Sequence, residues 1–476
     1  MRRIINHRKF IKMIGREKEK EDLIRLSESE KPEFVVVSGR RRVGKTFLIR
    51  EFFGNRFAFY HTGMANTETE NQLNSFNASL HKYGKIPYPK ASNWLASFEQ
   101  LIHLLSNTKK KGKKTVFIDE IPRMDTPRMG FVQALEYFWN SYASNQNDML
   151  LIVCGSDSSW IMNKLINSQS NRVTHQIDLR PFNLGECEEY FKKNRIALNR
   201  HQIVENYMIF GGIPYYLSLM QKHLSMAQNI DNICFAKNGT LRNEFENLYA
   251  SLFRNYEDHL KVVEVLSKKA KGMTRKEILE NTRLPNGGGF TKTLTELELC
   301  GFIRKCKAFE KKERDHLFQL TDFFTMFYFN FMTDNQLNDE HDWTNHSAWS
   351  GYAFEQVCMA HVPQIKYKLG IAGVQTNTAS WRSNEADNDA QFELLIVRKD
   401  KVINLCEMRY AQGQYVIDEQ QDKVLRNKRS SFRLETKTRK TLRLTMITTY
   451  GIEHNEYWHN IHSEVTIDDL FYRNTN

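Results

Sequence analysis

Residues 34–53 read FVVVS (Phe34–Ser38), GRRRVGKT (Gly39–Thr46) and FLIREFF (Phe47–Phe53). The first block is short, apolar and β-branched, the pattern of a strand buried on both faces of a parallel sheet. The second satisfies G-x-x-x-x-G-K-[ST], and the third is helical. A glycine-bounded loop between a buried strand and a helix can wrap its backbone N–H groups around a β-phosphate. Lys45 then reaches the β- and γ-phosphates, and the Thr46 hydroxyl coordinates Mg²⁺. The helix adds the positive end of its dipole. The stretch therefore predicts a P-loop for ATP and Mg²⁺, with Gly39, Arg42, Val43, Gly44, Lys45 and Thr46 as its binding residues.

Residues 13–30 read as a short entry followed by a helix. Further short apolar runs at Phe57–Tyr60, Thr115–Ile118 and Met149–Cys154 alternate with helical stretches such as Trp94–Leu105. Strands alternating with helices imply an α/β domain with a parallel sheet. Thr115–Glu120 (TVFIDE) would deliver Asp119 to the sheet's C-terminal edge, where it holds the Mg²⁺ through water. Glu120 is then placed to polarise the attacking water. The run Leu150–Cys154 ends in GSDSSW (Gly155–Trp160), and Ser156 at that tip is the candidate sensor of the γ-phosphate.

The chain has 476 residues, 41% hydrophobic and 26% charged, with a net charge of +12. That length suits several domains, and the basic surplus favours polyanion partners. Seven scattered cysteines without a C-x-x-C argue against a disulfide framework or zinc ribbon. The basic N-terminus lacks the apolar core of a signal peptide. The longest apolar run, near Phe323–Met332, is far short of the roughly 20 residues that span a bilayer. A cytoplasmic protein without membrane partners is expected.

After Pro181 the pattern changes. Residues 185–235 are helical around a Gly211-Gly212-Ile213-Pro214 break. Helices are expected at His259–Ala270, Thr274–Glu280 with Thr274 as N-cap, and Gly289–Cys300. Two β-like halves follow within Phe302–Leu320, around the charged tip Glu310–Arg314. Thr333–Ser347 is polar and reads as a linker. From about residue 348 the chain starts helical and then alternates strands with turns.

Together Ile14–Glu17 (IGRE), GRRRVGKT, FIDEIPRMDTPR (Phe117–Arg128), VCGSDSSW (Val153–Trp160), LRPFNLGE (Leu179–Glu186) and GGIPYYL (Gly211–Leu217) resemble the archaeal-type ATPases. These belong to the AAA-related P-loop branch, near the STAND signalling and origin-recognition ATPases. The resemblance implies a helical lid after the core. It implies that Arg16 and Pro214 flank the nucleotide base. It also implies that Arg172, before the last core strand, acts as an arginine finger, with assembly of a homo-oligomer through the nucleotide site. Asp157 departs from the small residue usual there, and its charge would weaken hydrolysis.

Residues 259–320 resemble a winged helix. Its third helix carries Glu296 and Glu298 beside Lys292, which is poor for reading bases, while Lys305, Lys307, Lys311, Lys312 and Arg314 suit phosphates. The tail resembles the restriction-endonuclease-like PD-(D/E)XK domain, through Glu355 on the first helix, Glu393 on one strand, and Glu407 and Arg409 on the next. Glu393 replaces the usual Asp and Arg409 the usual Lys, and a guanidinium does not position a water as an ammonium does. Asp387 and Asp389 are substitute ligands in this reading.

The expected organisation is a P-loop ATPase core (1–184), a helical lid (185–250), a winged helix (251–332), a linker (333–347) and a nuclease-like α/β domain (348–476). The leading reading is an ATPase acting as an ATP-driven switch on a degenerate nuclease-like module that binds DNA weakly and without sequence preference. The alternatives are an ATP-gated, metal-dependent DNA nuclease and a non-hydrolysing, ATP-bound module that binds nucleic acid or protein.

Overall fold

A computed structural model describes residues 13–65, 67–84, 91–109, 112–127, 129–167, 172–253, 255–310, 316–333, 347–383 and 390–473. The chain divides into two compact units, Met1–Pro181 and Phe182–Asn476. The end of the first unit thus falls at 181, where 184 was expected. The segments expected as lid, winged helix and tail lie in the second unit.

In the first unit the apolar runs form a five-stranded parallel sheet of β1 (Glu33–Ser38), β2 (Phe59–Thr62), β3 (Lys114–Asp119), β4 (Met149–Cys154) and β5 (His175–Asp178). The strand order is β2-β3-β4-β1-β5. Helices α1 (Glu17–Glu28), α2 (Lys45–Phe53), α3 (Thr69–Gly84), α4 (Trp94–Asn107), α5 (Phe131–Ser141) and the short α6 (Ser158–Ile161) complete it. The central strands are buried throughout, which explains their unbroken apolar sequence. Trp94, Phe98, Phe131 and Phe138 pack into one core with Phe34, Val36 and Leu151. Strand β2 begins two residues later than the sequence suggested and continues through His61, which is buried in it despite its polar ring.

The second unit opens with α7 (Leu184–Lys193), α8 (Arg200–Phe210), α9 (Pro214–Leu217), α10 (Met226–Ile230) and α11 (Glu244–Leu252). Next come α12 (Glu257–Ser267), β6 (Met273–Thr274), α13 (Arg275–Thr282), α14 (Gly288–Leu299), β7 (Ile303–Cys306) and β8 (Leu317–Leu320). The three strands make a small antiparallel sheet in the order β6-β8-β7. Thr274 caps α13 in a reciprocal box with Glu277. Helix α15 (Phe323–Phe331) leads towards α16 (Ser347–Ala360) and α17 (Val362–Lys368).

A second five-stranded sheet follows, from β9 (Thr376–Arg382), β10 (Gln391–Arg398), β11 (Val402–Arg409), β12 (Thr441–Thr448) and β13 (Ser463–Thr466). Its order is β13-β12-β11-β10-β9, parallel from β11 to β13 and antiparallel from β9 to β11. The parallel step from β11 to β12 requires a crossover. That crossover is α18 (Glu419–Thr436), an 18-residue helix where turns were expected. Only Asp422, Leu425 and Phe432 of α18 are buried, so its apolar periodicity is faint. The chain closes with α19 (Ile467–Leu470). Among the described residues no helix is long and apolar enough to cross a membrane.

Helix α8 packs against both α15 and α16, which ties the first helices of this unit to its C-terminal part. His361, between α16 and α17, is fully buried and accepts the Leu184 N–H at its Nε2, 3.0 Å away. Its Nδ1 faces the Val357 carbonyl at 2.7 Å. That arrangement requires the neutral Nδ1–H tautomer, and burial lowers the pKa of the ring to about 4. His361→Phe should leave the Leu184 N–H unpaired and cost about 1–3 kcal/mol. A depressed histidine stabilises the fold above the unfolded pKa, and that contribution is lost as pH falls towards the folded one. Denaturant titrations at about pH 7 and pH 5 should therefore show a smaller acid-induced loss in the variant than in the parent.

Candidate functional site

The P-loop follows from the backbone its glycines allow. Gly39 has φ 138° and Gly44 φ 94°, both in the left-handed half of the map. A Cβ on Gly39 would stand 2.3 Å from the Leu179 carbonyl oxygen. Helix α2 starts at Lys45, so its first N–H groups are free of intrahelical partners and border the loop. The Lys45 ammonium is buried. Its Nζ donates to the carbonyls of Gly39 (2.8 Å) and Arg40 (2.9 Å), and to Ser156 Oγ at 3.4 Å.

Asp119 ends β3 beside this loop. The Thr46 hydroxyl donates to Asp119 Oδ2 at 2.7 Å, and Asp119 Oδ1 accepts from the Glu120 N–H and the Cys154 thiol. Burial pushes the Asp119 carboxyl above its usual range, while the Cys154 and Thr46 hydrogen bonds pull it back. Glu120 sits at φ 50°, an uncommon conformation for a side-chain-bearing residue and one that recurs at functional sites. Ser156 Oγ donates to Glu120 Oε1 at 2.7 Å, and Arg123 Nε lies 3.7 Å from Oε2. Gly63 closes under this turn, for a Cβ there would be 2.6 Å from the Glu120 carbonyl oxygen.

Lys45, Thr46, Asp119, Glu120 and Ser156 thus form one hydrogen-bonded chain across the ends of three strands and the start of α2. The donor set fits a Mg²⁺-nucleotide. A hydroxyl and a carboxylate stand in contact where the metal would sit, beside a buried ammonium held by exchangeable carbonyls. Cys154, Arg123 and Gly63 are additional members that the sequence reading missed. Only Cys154 left a signal, as the last residue of an apolar run.

Arg16, also left-handed at φ 61°, donates to the carbonyls of Val43 (3.2 Å) and Arg180 (2.6 Å) and so braces the P-loop from behind. Pro214 opens α9 in the second unit, just after Gly211 and Gly212. Arg172 lies 3.1 Å from Glu136 of α5 in an ion pair within its own unit. Asp157 caps α6, accepting from the Trp160 N–H at 2.9 Å.

In the tail, Glu355 on α16, Glu393 on β10 and Glu407 on β11 are electrostatic neighbours. Glu407 is buried and paired twice, with Arg409 Nη2 and with Lys428 Nζ of α18 at 3.0 and 3.1 Å. Lys428 was not foreseen, because the helix that carries it was not. Burial raises the pKa of Glu355 to about 8, with Glu393 and Glu407 pushing the same way. Burial and Glu407 raise that of Glu393 too. Among the described residues no group of three or more acids, histidines or cysteines is arranged to hold a metal ion. Asp387, Asp389, Lys311, Lys312 and Arg314 lie outside the described residues.

Residues 13–220 match a sequence family described as an ATPase domain predominantly from Archaea. That match assigns an ATPase domain to the N-terminal part of the chain. An uncharacterised protein of Methanocaldococcus jannaschii is 25% identical over 359 residues, spanning 72% of this chain and 76% of its own. Among solved structures, the Walker-type ATPase of Pyrococcus abyssi is similar over 67% of this chain and 96% of its own, at 17% identity and a TM-score of 0.48. The ORC2 protein of Aeropyrum pernix is similar over 64% and 89%, at 12% identity and a TM-score of 0.42.

The raised Glu355 carboxyl has a consequence for stability. A folded pKa above the unfolded value gives stability that is present below the unfolded pKa and is lost as pH rises towards the folded one, here from about 4.5 to about 8. Glu355→Gln removes that titration. Denaturant midpoints measured from about pH 5 to pH 8 should fall less steeply in the variant than in the parent.

Proposed function

We propose that this chain is an ATP-driven switch, in which an ATPase site in the first unit controls a nucleic-acid-binding second unit. The observation that carries the reading is the continuous chain from Lys45 through Ser156 to Glu120, with Asp119 holding Thr46. In this mechanism the P-loop amides and Lys45 take up the β- and γ-phosphates, and Lys45 exchanges the Gly39 and Arg40 carbonyls for phosphate oxygens. Mg²⁺, when bound, supplies Lewis-acid charge to those oxygens, and Thr46 and Asp119 are the residues that would hold it. Glu120 accepts the proton of the attacking water. Ser156 touches both Lys45 and Glu120, so it couples occupancy of the phosphate site to the orientation of the base. Arg16 and Pro214 are assigned to the adenine base by resemblance. Arg172 is assigned to a neighbouring copy's site, a role that requires its pair with Glu136 to open.

In the second unit, α12 to β8 are read as a winged helix. The order α16, β9, β10, β11, α18, β12 supports a restriction-endonuclease-like tail. That tail is read as a binding module. Glu407 already has two cationic partners, so the buried charge is balanced by the protein itself. The alternative, an ATP-gated nuclease, has one observation in its favour: Lys428 puts an ammonium against Glu407 where Arg409 cannot act as one.

Lys45→Ala should abolish ATP binding in nucleotide titrations, whereas Glu120→Gln should keep binding and lower phosphate release by about 10²-fold or more. Unchanged affinity in Lys45→Ala would move the nucleotide elsewhere. For the tail, no Mg²⁺- or Mn²⁺-dependent cleavage of single- or double-stranded DNA is expected, with or without ATP. Cleavage that disappears in both Glu407→Ala and Lys428→Ala would establish the nuclease instead.

A further inference from the structure

Three cavities of the second unit join end to end. The largest, about 690 Å³, lies between β7, the start of α17 and the outer edge of β9. It shares Lys305 with a cavity of about 400 Å³ against α13 and α14. On its other side it shares Thr376, Asn377 and Val397 with a cavity of about 210 Å³ at the β10 turn. The shared walls make one track that runs from α13, along β7 and β9, to Lys440 before β12.

The track is basic along its whole length. Arg275, Lys276 and Lys305 line the first part, Arg304, Lys307 and Lys366 the middle, and Arg398, Lys399 and Lys440 the end. The acidic residues among the described ones on these walls are Glu298, Glu310 and Glu393, and none of them lines the last cavity. Some of these cations are already engaged. Lys276 pairs with Glu280, and Arg398 with Asp400. Lys307, Lys366, Lys399 and Lys440 have no carboxylate partner among the described residues. Arg304 donates through Nη2 to the side-chain oxygens of Gln319 and Gln356, and its buried Nε has no hydrogen-bond partner among the described residues.

The middle of the track runs beside an edge strand. Among the described residues, those after β7 pair with β9 at Ser380, where Phe309 N–H donates to Ser380 O (2.8 Å) and Ser380 N–H to Lys307 O (3.0 Å). Thr376, Asn377 and Thr378 remain on the cavity wall, with Asn377 and Thr378 exposed. Their hydroxyl and amide groups are suited to phosphate and sugar oxygens.

We infer that this track binds single-stranded nucleic acid by its backbone, a deepening that rests on the nucleic-acid reading proposed above. Thr376, Asn377 and Thr378 on the edge of β9 and the lysines of the neighbouring walls lie along one line, which suits the one backbone of a single strand. Phosphates at successive positions meet the unpaired lysines, and the described walls offer no exposed aromatic ring for base stacking. Affinity is therefore electrostatic and tolerant of sequence. The strand passes Glu393 on the floor of the middle cavity, which brings it beside the Glu407–Arg409–Lys428 cluster.

The test uses the full-length protein and fluorescence anisotropy with labelled oligothymidylate of about 12 nucleotides, a duplex of equal length and polyglutamate. The parent should bind the single strand more tightly than the duplex, and polyglutamate should not bind. Lys307→Glu with Lys366→Glu should weaken single-strand binding at least tenfold. The slope of log affinity against log salt should shrink by about 0.7 for each phosphate that is no longer neutralised. Lys222→Glu with Lys237→Glu makes the same change in net charge at exposed positions that line none of the three cavities, and should leave affinity within about twofold. ATP binding should be unchanged in both pairs. Binding by the parent that persists undiminished in the Lys307/Lys366 pair, or that weakens equally in both pairs, overturns the track and leaves the nucleic-acid reading standing. So does a preference for the duplex. Failure of the parent to bind either oligonucleotide, or binding of polyglutamate alone, overturns that reading and the track with it.

Discussion

The register of three buried strands is the constraint on which the nucleotide site depends. Val37 of β1 pairs with Cys154 of β4, and Val153 of β4 pairs with Ile118 of β3. The three strands therefore end within about one residue of each other, β1 at Ser38, β3 at Asp119 and β4 at Cys154, at the sheet's C-terminal edge. From that edge the P-loop, Asp119–Glu120 and Ser156 need only a few residues to meet. A slip of one residue in either pairing would turn Asp119 or Cys154 to the other face.

This explains which parts of the molecule could be read from sequence. A P-loop is a local device: its strand, glycines, lysine and helix are contiguous, and the residues alone specify it. Asp119 and Glu120 are legible because a buried strand delivers them. Cys154 is different. Its thiol holds Asp119 from the neighbouring strand, and nothing near Cys154 in the chain announces that partner. Lys428 is harder still. It lies on α18, whose buried apolar residues are Leu425 and Phe432 among a run of charges, so the 3.6-residue period is nearly silent. Stronger cues lay in the cap, where Asp418 accepts the Gln421 N–H, and in the absence of any strong breaker through Thr436. The packing within the second unit is not written locally in the chain either. The packing that unites residues 182–476 joins positions more than a hundred residues apart, such as Leu184 and His361.

The two ionic sites solve opposite problems. In the first unit a buried ammonium and a buried carboxylate are kept apart: Lys45 rests on carbonyls, and Asp119 on a hydroxyl, a thiol and an N–H. In the tail, Glu407 lies against Arg409 and Lys428, and its charge is already matched. Burial still drives Glu355 and Glu393 towards the protonated form, although Lys428 acts against it at both and Arg409 at Glu355.

Helix α8 connects these considerations within the second unit. Its first turn carries His201, stacked on Tyr410 and on Tyr450 with ring centroids 5.6 and 5.4 Å away. Tyr410 OH also meets His201 Nε2 at 3.1 Å and Glu205 at 3.2 Å. Tyr410 directly follows Arg409, the partner of Glu407. The other end of α8 stops at Gly211, and Gly212 has no room for a side chain, since a Cβ would stand 2.1 Å from the Phe182 carbonyl oxygen. His201 and Glu205 therefore fasten α8 to Tyr410, the residue that follows β11 and its Glu407–Arg409 pair. The helix is thus fixed at one end by a stack of rings and at the other by a backbone turn that has no room for a side chain.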